Sequence, residues 1–219
     1  MISKFEKTHR NIINIGMKLM MEEGFQNVSI NKICDAVNIA RPTFYSHFNS
    51  KESLIAQYYE FAYLFSAETQ HWIFSAISNW ESILRLQMAY IQNTSDLRHV
   101  DLISRYLTYK LTSKEERTTI TFSQEFDDKV RTTLFSLIKK AQESGEIRNT
   151  SDPHHLCDSI MNLQLGSLFS WCASGGNYDV ERSIFWNLEA ILMVQPEYRG
   201  IWKYYYTCQI PGLVPRELS

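Results

Sequence analysis

Apolar residues recur along this chain every third or fourth position, and nowhere in the sustained alternation of a half-buried strand. The pattern therefore predicts an all-α protein built from helices joined by short turns. The first helix is expected from about Lys4 to Glu23, with Ile12, Ile13, Gly16, Met17, Leu19 and Met20 along one stripe, Gly24 as its stop and Phe25 as a packing anchor. Ser29 stands where an N-cap belongs. Ile30, Ile33 and Val37 form the inner face of a short second helix, which Asn38 closes because its side chain tolerates left-handed backbone. A third short helix opens at Arg41 with Pro42 in its first turn and runs to Phe48. Asn49 and Ser50 break it, and Ser50 caps a long helix from Lys51 toward Gln70.

Further helices are expected at about Trp72 to Asn93, Asp96 to Leu111, Lys114 to Ser144, Pro153 to Ser174 and Val180 to Val194, with stops at Gly145, Gly175-Gly176 and Pro196. The spacing divides the chain into a head at 1–50, a helical body at 51–195 and a tail at 196–219 of unassigned structure. Two short helices with a tight turn between them, spanning Ser29 to Phe48, have the layout of a DNA-reading helix-turn-helix.

The net charge of −2 argues against a nucleic-acid binder until it is resolved along the chain. Residues 1–51 carry seven basic and four acidic side chains, a net of +3, and the other 168 carry 15 and 20, a net of −5. A basic head on an acidic body suits a protein that offers one end to DNA. Four cysteines without Cys-x-x-Cys spacing make neither a disulfide scaffold nor a zinc site, and no metal or cofactor site is expected. No stretch is long and apolar enough for a signal peptide or a membrane span, so a cytoplasmic protein is expected. Phosphate loops, nucleophile elbows and H-E-x-x-H pairs are absent, which excludes the enzyme classes that carry them. The adjacent His154 and His155 point about 100° apart on a helix, a poor arrangement for sharing a metal.

The run Gly24-Phe25, Val28-Ser29-Ile30, Ile33-Cys34, Ala36-Val37-Asn38-Ile39, Pro42-Thr43-Phe44-Tyr45-Ser46-His47-Phe48 and Ser50-Lys51-Glu52-Ser53-Leu54 resembles the N-terminal domain of the tetracycline-repressor (TetR) family. The resemblance covers about Lys4 to Leu54. Asn38 stands where the family often has Gly, and Ala40 where it often has a helix-capping hydroxyl. The resemblance implies a ligand-responsive regulator, usually a repressor, acting as a homodimer on a palindromic operator, with Arg41 to His47 as its recognition helix. Arg41 has the forked guanidinium that bonds O6 and N7 of guanine, Thr43 offers a methyl or hydroxyl contact, and Pro42 a shape-limited apolar one. Tyr45, His47 and Lys51 resemble the family's phosphate-binding positions; Ser46 lies in the same helix, and Ser29 puts a helix N-terminus toward a phosphate.

The body is rich in aromatics, and Tyr58, Phe61, Phe65, Trp80, Tyr106, Tyr109, Phe126 and Phe169 are the expected lining of a pocket for a small apolar or cationic effector. Leu156, Ile160 and Leu163 on one helix, with Ile184, Leu188, Ile191 and Leu192 on the next, form apolar stripes suited to a four-helix dimer bundle. They suit an intramolecular core equally. The dimer assignment comes from the need of a two-fold operator for two heads.

Overall fold

A computed structural model describes residues 3–60, 66–94, 99–112, 124–205 and 210–211. Its ten α-helices among the described residues are α1 (Lys4–Glu23), α2 (Ile30–Val37), α3 (Arg41–Tyr45), α4 (Lys51–Glu60), α5 (Ala67–Phe74), α6 (Asn79–Thr94), α7 (Val100–Thr112), α8 (Gln124–Glu143), α9 (Pro153–Ala173) and α10 (Val180–Ile191). Extended pairing among these residues is limited to a single bridge between Ile147 and Val194, so the all-α expectation holds. No described helix is long and apolar enough to cross a membrane.

Two compact units form. The first draws on residues 1–62, 98–123 and 214–219, the second on 63–97 and 124–213. This division differs from a linear cut at residue 50, because α4 packs on α1 and α7 packs on α4.

In the first unit, α1 opens on a capping box: the Glu6 N–H donates to the Ser3 hydroxyl at 3.1 Å, and the Ser3 N–H donates to the Glu6 carboxylate at 2.9 Å. Ile12, Ile13, Gly16, Met17 and Met20 are buried, whereas Leu19 turns partly outward. Gly16 permits a close crossing, since a β-carbon there would lie 2.9 Å from Leu54 Cδ1 of α4. Tyr59 of α4 meets Tyr106 of α7 with ring centres 5.3 Å apart, and Leu102, Ile103 and Leu107 of α7 are buried.

The second unit joins α5, α6, α8, α9 and α10 with part of the tail. The helices expected to run on from Lys51 and from Trp72 are redrawn here: Ser66 is extended and caps α5, accepting from the Thr69 N–H at 3.0 Å, and the chain breaks again at Ser75 before α6. The N-terminus of α6 is capped from far along the chain. Glu146, almost wholly buried, accepts from the Trp80 N–H at 2.6 Å, the Asn79 N–H at 3.2 Å and the Asn79 side chain at 2.8 Å. The tail expected to be unassigned is docked over 196–205: the Trp80 indole donates to Tyr198 O at 3.1 Å, Trp202 is buried, and the Tyr205 hydroxyl bonds Glu81 and Arg85. A grammar of helix caps gave no hint of this, because the tail is held by side chains more than a hundred residues away in sequence.

Candidate nucleic-acid interface

The helix-turn-helix is built around one left-handed residue. Asn38 has φ 59° and ψ 52°, and the Ile39 N–H reaches back to Cys34 O at 2.9 Å, ending α2 and reversing the chain within Asn38-Ile39-Ala40. Ser29 caps the other end of α2, accepting from the Lys32 N–H at 3.1 Å. At α3 the missing cap hydroxyl of Ala40 is replaced by backbone alone: its carbonyl accepts from the Thr43 N–H at 2.9 Å, and Pro42 occupies the first turn, where no donor is needed. Helical geometry ends at Tyr45, three residues earlier than expected, and turn hydrogen bonds from the His47 and Phe48 N–H groups to Phe44 O, both 2.9 Å, carry the chain to Phe48.

Phe44 and Phe48 are buried and anchor α3 by its inner side. The outer side is thereby fixed. Arg41, Pro42, Tyr45 and Ser46 are exposed and Thr43 is half-buried, so the sequence-predicted reading residues lie together on one accessible surface. Arg41 is held only by a long 3.4 Å hydrogen bond to the Tyr45 hydroxyl, with its guanidinium 5.9 Å from that ring's centre. The Ser46 hydroxyl donates to Thr43 O at 2.7 Å, which leaves its oxygen lone pairs outward. Lys32 forms an ion pair with Glu23, so its charge is partly spent within the head.

Lys51 departs from its expected role. Its ammonium donates to Phe25 O at 2.7 Å and to Val28 O at 2.6 Å, and sits 3.9 Å from the centre of the Phe25 ring. The Arg105 guanidinium of α7 lies against the same ring, also at 3.9 Å. The partial negative charge that this cation needs at a helix N-terminus comes from carbonyls of the preceding turn, and one donor at most is left for a phosphate. Burial lowers the Lys51 pKa, with Arg105 adding in the same direction against Glu52.

His47 is half-buried and paired. Its Nδ1 lies 3.2 Å from His9 Nδ1 on α1; Phe5 stacks on His47 at 4.0 Å and Phe48 on His9 at 4.6 Å. Burial lowers the pKa of both imidazoles; the charge of His9 lowers that of His47 further, while a hydrogen bond with Gln57 of α4 pulls His9 back up. Sequence reading missed His9, Phe5, Gln57 and Arg105. A partner 38 residues away leaves no local signal, and only the crossing of α1 over the end of the helix-turn-helix brings the two histidines together.

The residues expected to line a pocket fall in both units. Tyr58 and Tyr106 are buried and Tyr109 half-buried in the first unit, whereas Trp80 is buried and Phe169 half-buried in the second. Phe61, Phe65 and the side chain of Phe126 lie outside the described residues. Composition flagged these rings together, but Trp80 has a structural task in holding the tail. The expected dimer stripe needs correction too: Leu156, Ile160, Ile184, Leu188 and Leu192 are buried within the single chain, where α9 and α10 pack on each other and α9 on α8. Leu163 and Ile191 alone of the seven are partly accessible, beside exposed Gly166, Trp186 and Ala190 on the outer side of the same helices.

Residues 12–58 match the family described as bacterial regulatory proteins, tetR family. The transposon Tn10 TetC protein of Escherichia coli is 32% identical over 56 residues, which are 26% of this chain and 28% of that protein; the matched part thus spans under a third of that relative. Among solved structures, Thermus thermophilus FadR, a TetR-family transcriptional repressor in complex with lauroyl-CoA, superposes with a TM-score of 0.56 at 17% identity, over 88% of this chain and 98% of that one. A TetR-family regulator structure from Mesorhizobium loti gives 0.57 at 16% identity, over 88% and 96%. At such identities the likeness is one of fold.

Proposed function

We propose that this chain, whose residues 12–58 match the family of bacterial regulatory proteins, tetR family, is a ligand-responsive transcriptional repressor that binds a palindromic operator as a homodimer. The observation that carries this reading is the outward row Arg41, Pro42, Tyr45 and Ser46 on a short helix held from behind by buried Phe44 and Phe48. Side chains that restrain one another only weakly are free to meet base edges and phosphates, while the rigid inner face fixes their register. Arg41 supplies base readout and Tyr45, Thr43 and the N-terminus of α2 at Ser29 position the backbone of the DNA. His47 adds a phosphate contact.

Two heads on a symmetric operator require a dimer, and the accessible outer side of α9 and α10, with Leu163, Gly166, Trp186, Ala190 and Ile191, is the surface for it. A small molecule bound in the helical body releases the DNA by favouring a second spacing of the heads. FadR binds an acyl-CoA in this fold, which makes a hydrophobic effector the first class to screen.

The test is fluorescence anisotropy on duplexes selected from random sequence and on the upstream intergenic region. Tight binding, on the order of 10⁻⁸ M, is expected, and Arg41→Ala is expected to weaken it by about 1–3 kcal/mol, roughly 5- to 150-fold, without loss of thermal stability. A selection that enriches no sequence, or an Arg41→Ala variant that binds as well as the parent, overturns the reading.

A further inference from the structure

The interior of the second unit holds a polar pair that its own residues leave half satisfied. Gln87 of α6 is fully buried and Gln164 of α9 almost so, and the Gln164 side-chain amide donates to the Gln87 carbonyl oxygen. Gln87 Nε2 and Gln164 Oε1 have no hydrogen-bond partner among the described residues. The two amides thus share one hydrogen bond and not the second that would close a ring between them. The count does not depend on which amide atom is oxygen and which is nitrogen. Exchanging both keeps the bond and again leaves one amino group and one carbonyl open, whereas exchanging one sets like against like. A buried donor and a buried acceptor left open are costly to the fold, and methionine at both places would avoid that cost.

The flanking residues are apolar and uncharged. One helical turn to either side, Ile83 and Ile91 on α6 and Ile160 and Leu168 on α9 are buried. No Asp, Glu, Lys or Arg occurs from Leu86 to Thr94 or from Ser159 to Tyr178, so neither stretch offers a counter-ion. Glu181 of α10 hydrogen-bonds Gln92, more than a turn further along α6, and disfavours an anion there; burial raises its pKa, which lessens its pull on a cation.

We infer that Gln87 and Gln164 form the polar end of a binding site for a small uncharged molecule that carries an amide or a hydroxyl on an apolar body. An amide satisfies both open groups: its carbonyl accepts from Gln87 Nε2, and its N–H donates to Gln164 Oε1. A hydroxyl does the same through one oxygen. A carboxylate has no proton for the Gln164 carbonyl, and an ammonium has no lone pair for the Gln87 amino group, so both charged headgroups leave a buried partner open and lack a counter-ion. The inference names the chemical class of the effector and rests on the proposed ligand response of the helical body.

Thermal melting of the full-length protein at neutral pH with octanamide, octanol, octanoate and octylammonium, which differ in headgroup alone, tests the site without DNA. Octanamide and octanol are expected to raise the melting temperature with concentration, and the two charged probes to leave it unchanged. Gln87→Met and Gln164→Met are each expected to weaken octanamide binding by about 5- to 10-fold, the effect of losing one hydrogen bond. The double variant Gln87→Met, Gln164→Met removes both open groups together, so without probe it is expected to melt at or above the parent and to lose the preference among the four probes. The inference is overturned if octanamide and octanol leave the parent unchanged, if all four probes act alike, or if the double variant keeps the parent's preference. A double variant that melts well below the parent, with no probe response in either, makes the pair a core element satisfied by bound water. Anisotropy on the selected duplex separates the inference from the regulator reading. Release of the duplex by octanamide from the parent and not from the double variant supports both, and octanamide bound with no change in duplex affinity overturns the effector assignment. A protein that binds octanamide and no duplex keeps the site and refutes the regulator, whereas one that binds the duplex and ignores octanamide refutes the site and keeps the regulator.

Discussion

Replacing Lys51 separates a structural cation from a DNA-contacting one. Its ammonium ties α4 to the turn before α2 through two short hydrogen bonds to Phe25 O and Val28 O, with the Phe25 ring 3.9 Å away. Hydrogen bonds to a charged group are worth about 1.5–3 kcal/mol each when removed singly. The two here share one donor group, and part of their gain offsets the desolvation that lowers the Lys51 pKa. Lys51→Met keeps the apolar stem and deletes the charge, so a loss of about 1–3 kcal/mol is expected, or roughly 2–4 °C of melting temperature per kcal/mol for a chain of this size. Amide hydrogen exchange over Ile30–Val37 is the local assay, because the lost bonds fix the entry to that helix. The slope of DNA affinity against salt is expected to stay the same. A variant with unchanged exchange but a slope shallower by about 0.9 per head would mean that Lys51 is a phosphate contact after all, and the reasoning from the carbonyl contacts would be refuted.

Two further expectations concern the second unit. Burial, reinforced by Asp179, raises the Glu181 pKa above the ordinary carboxylate range against the hydrogen bond of Gln92. Stability from this group is therefore complete below pH 4.5 and lost as pH rises through the raised value; Glu181→Gln should melt higher than the parent at pH 7, with the difference gone by pH 4.5, and a constant difference across that range would contradict the burial argument. The Tyr205 hydroxyl bonds both the almost wholly buried Glu81 and, at 3.0 Å, Arg85. Tyr205→Phe should cost about 1–3 kcal/mol in urea unfolding, because it leaves buried charged groups short of a partner while keeping the ring against Trp72; an unchanged midpoint would mean that water replaces the hydroxyl.

Sequence periodicity by itself determined the all-α class, helices such as α1, α2, α9 and α10, and the turn at Asn38, since each follows from the preferences of residues a few positions apart. It also determined which side of α3 faces out: Phe44 and Phe48, four apart, had to be buried together, which leaves Arg41, Pro42, Tyr45 and Ser46 on the other side. Motif resemblance supplied the identity of the head for the same reason, because a helix-turn-helix is a local object of about twenty residues. Whatever depended on chain crossings was decided only in three dimensions. Tertiary packing turned Lys51 inward onto two carbonyls, joined His9 to His47, capped α6 with Glu146 from 66 residues away and docked the tail onto α5 and α6. It also assigned the stripe of Leu156, Ile160, Ile184, Leu188 and Leu192 to the chain's own core. An apolar stripe specifies that a face must be covered, and its sequence is the same whether the cover is a neighbouring helix or a second molecule; only the packed chain tells the two apart.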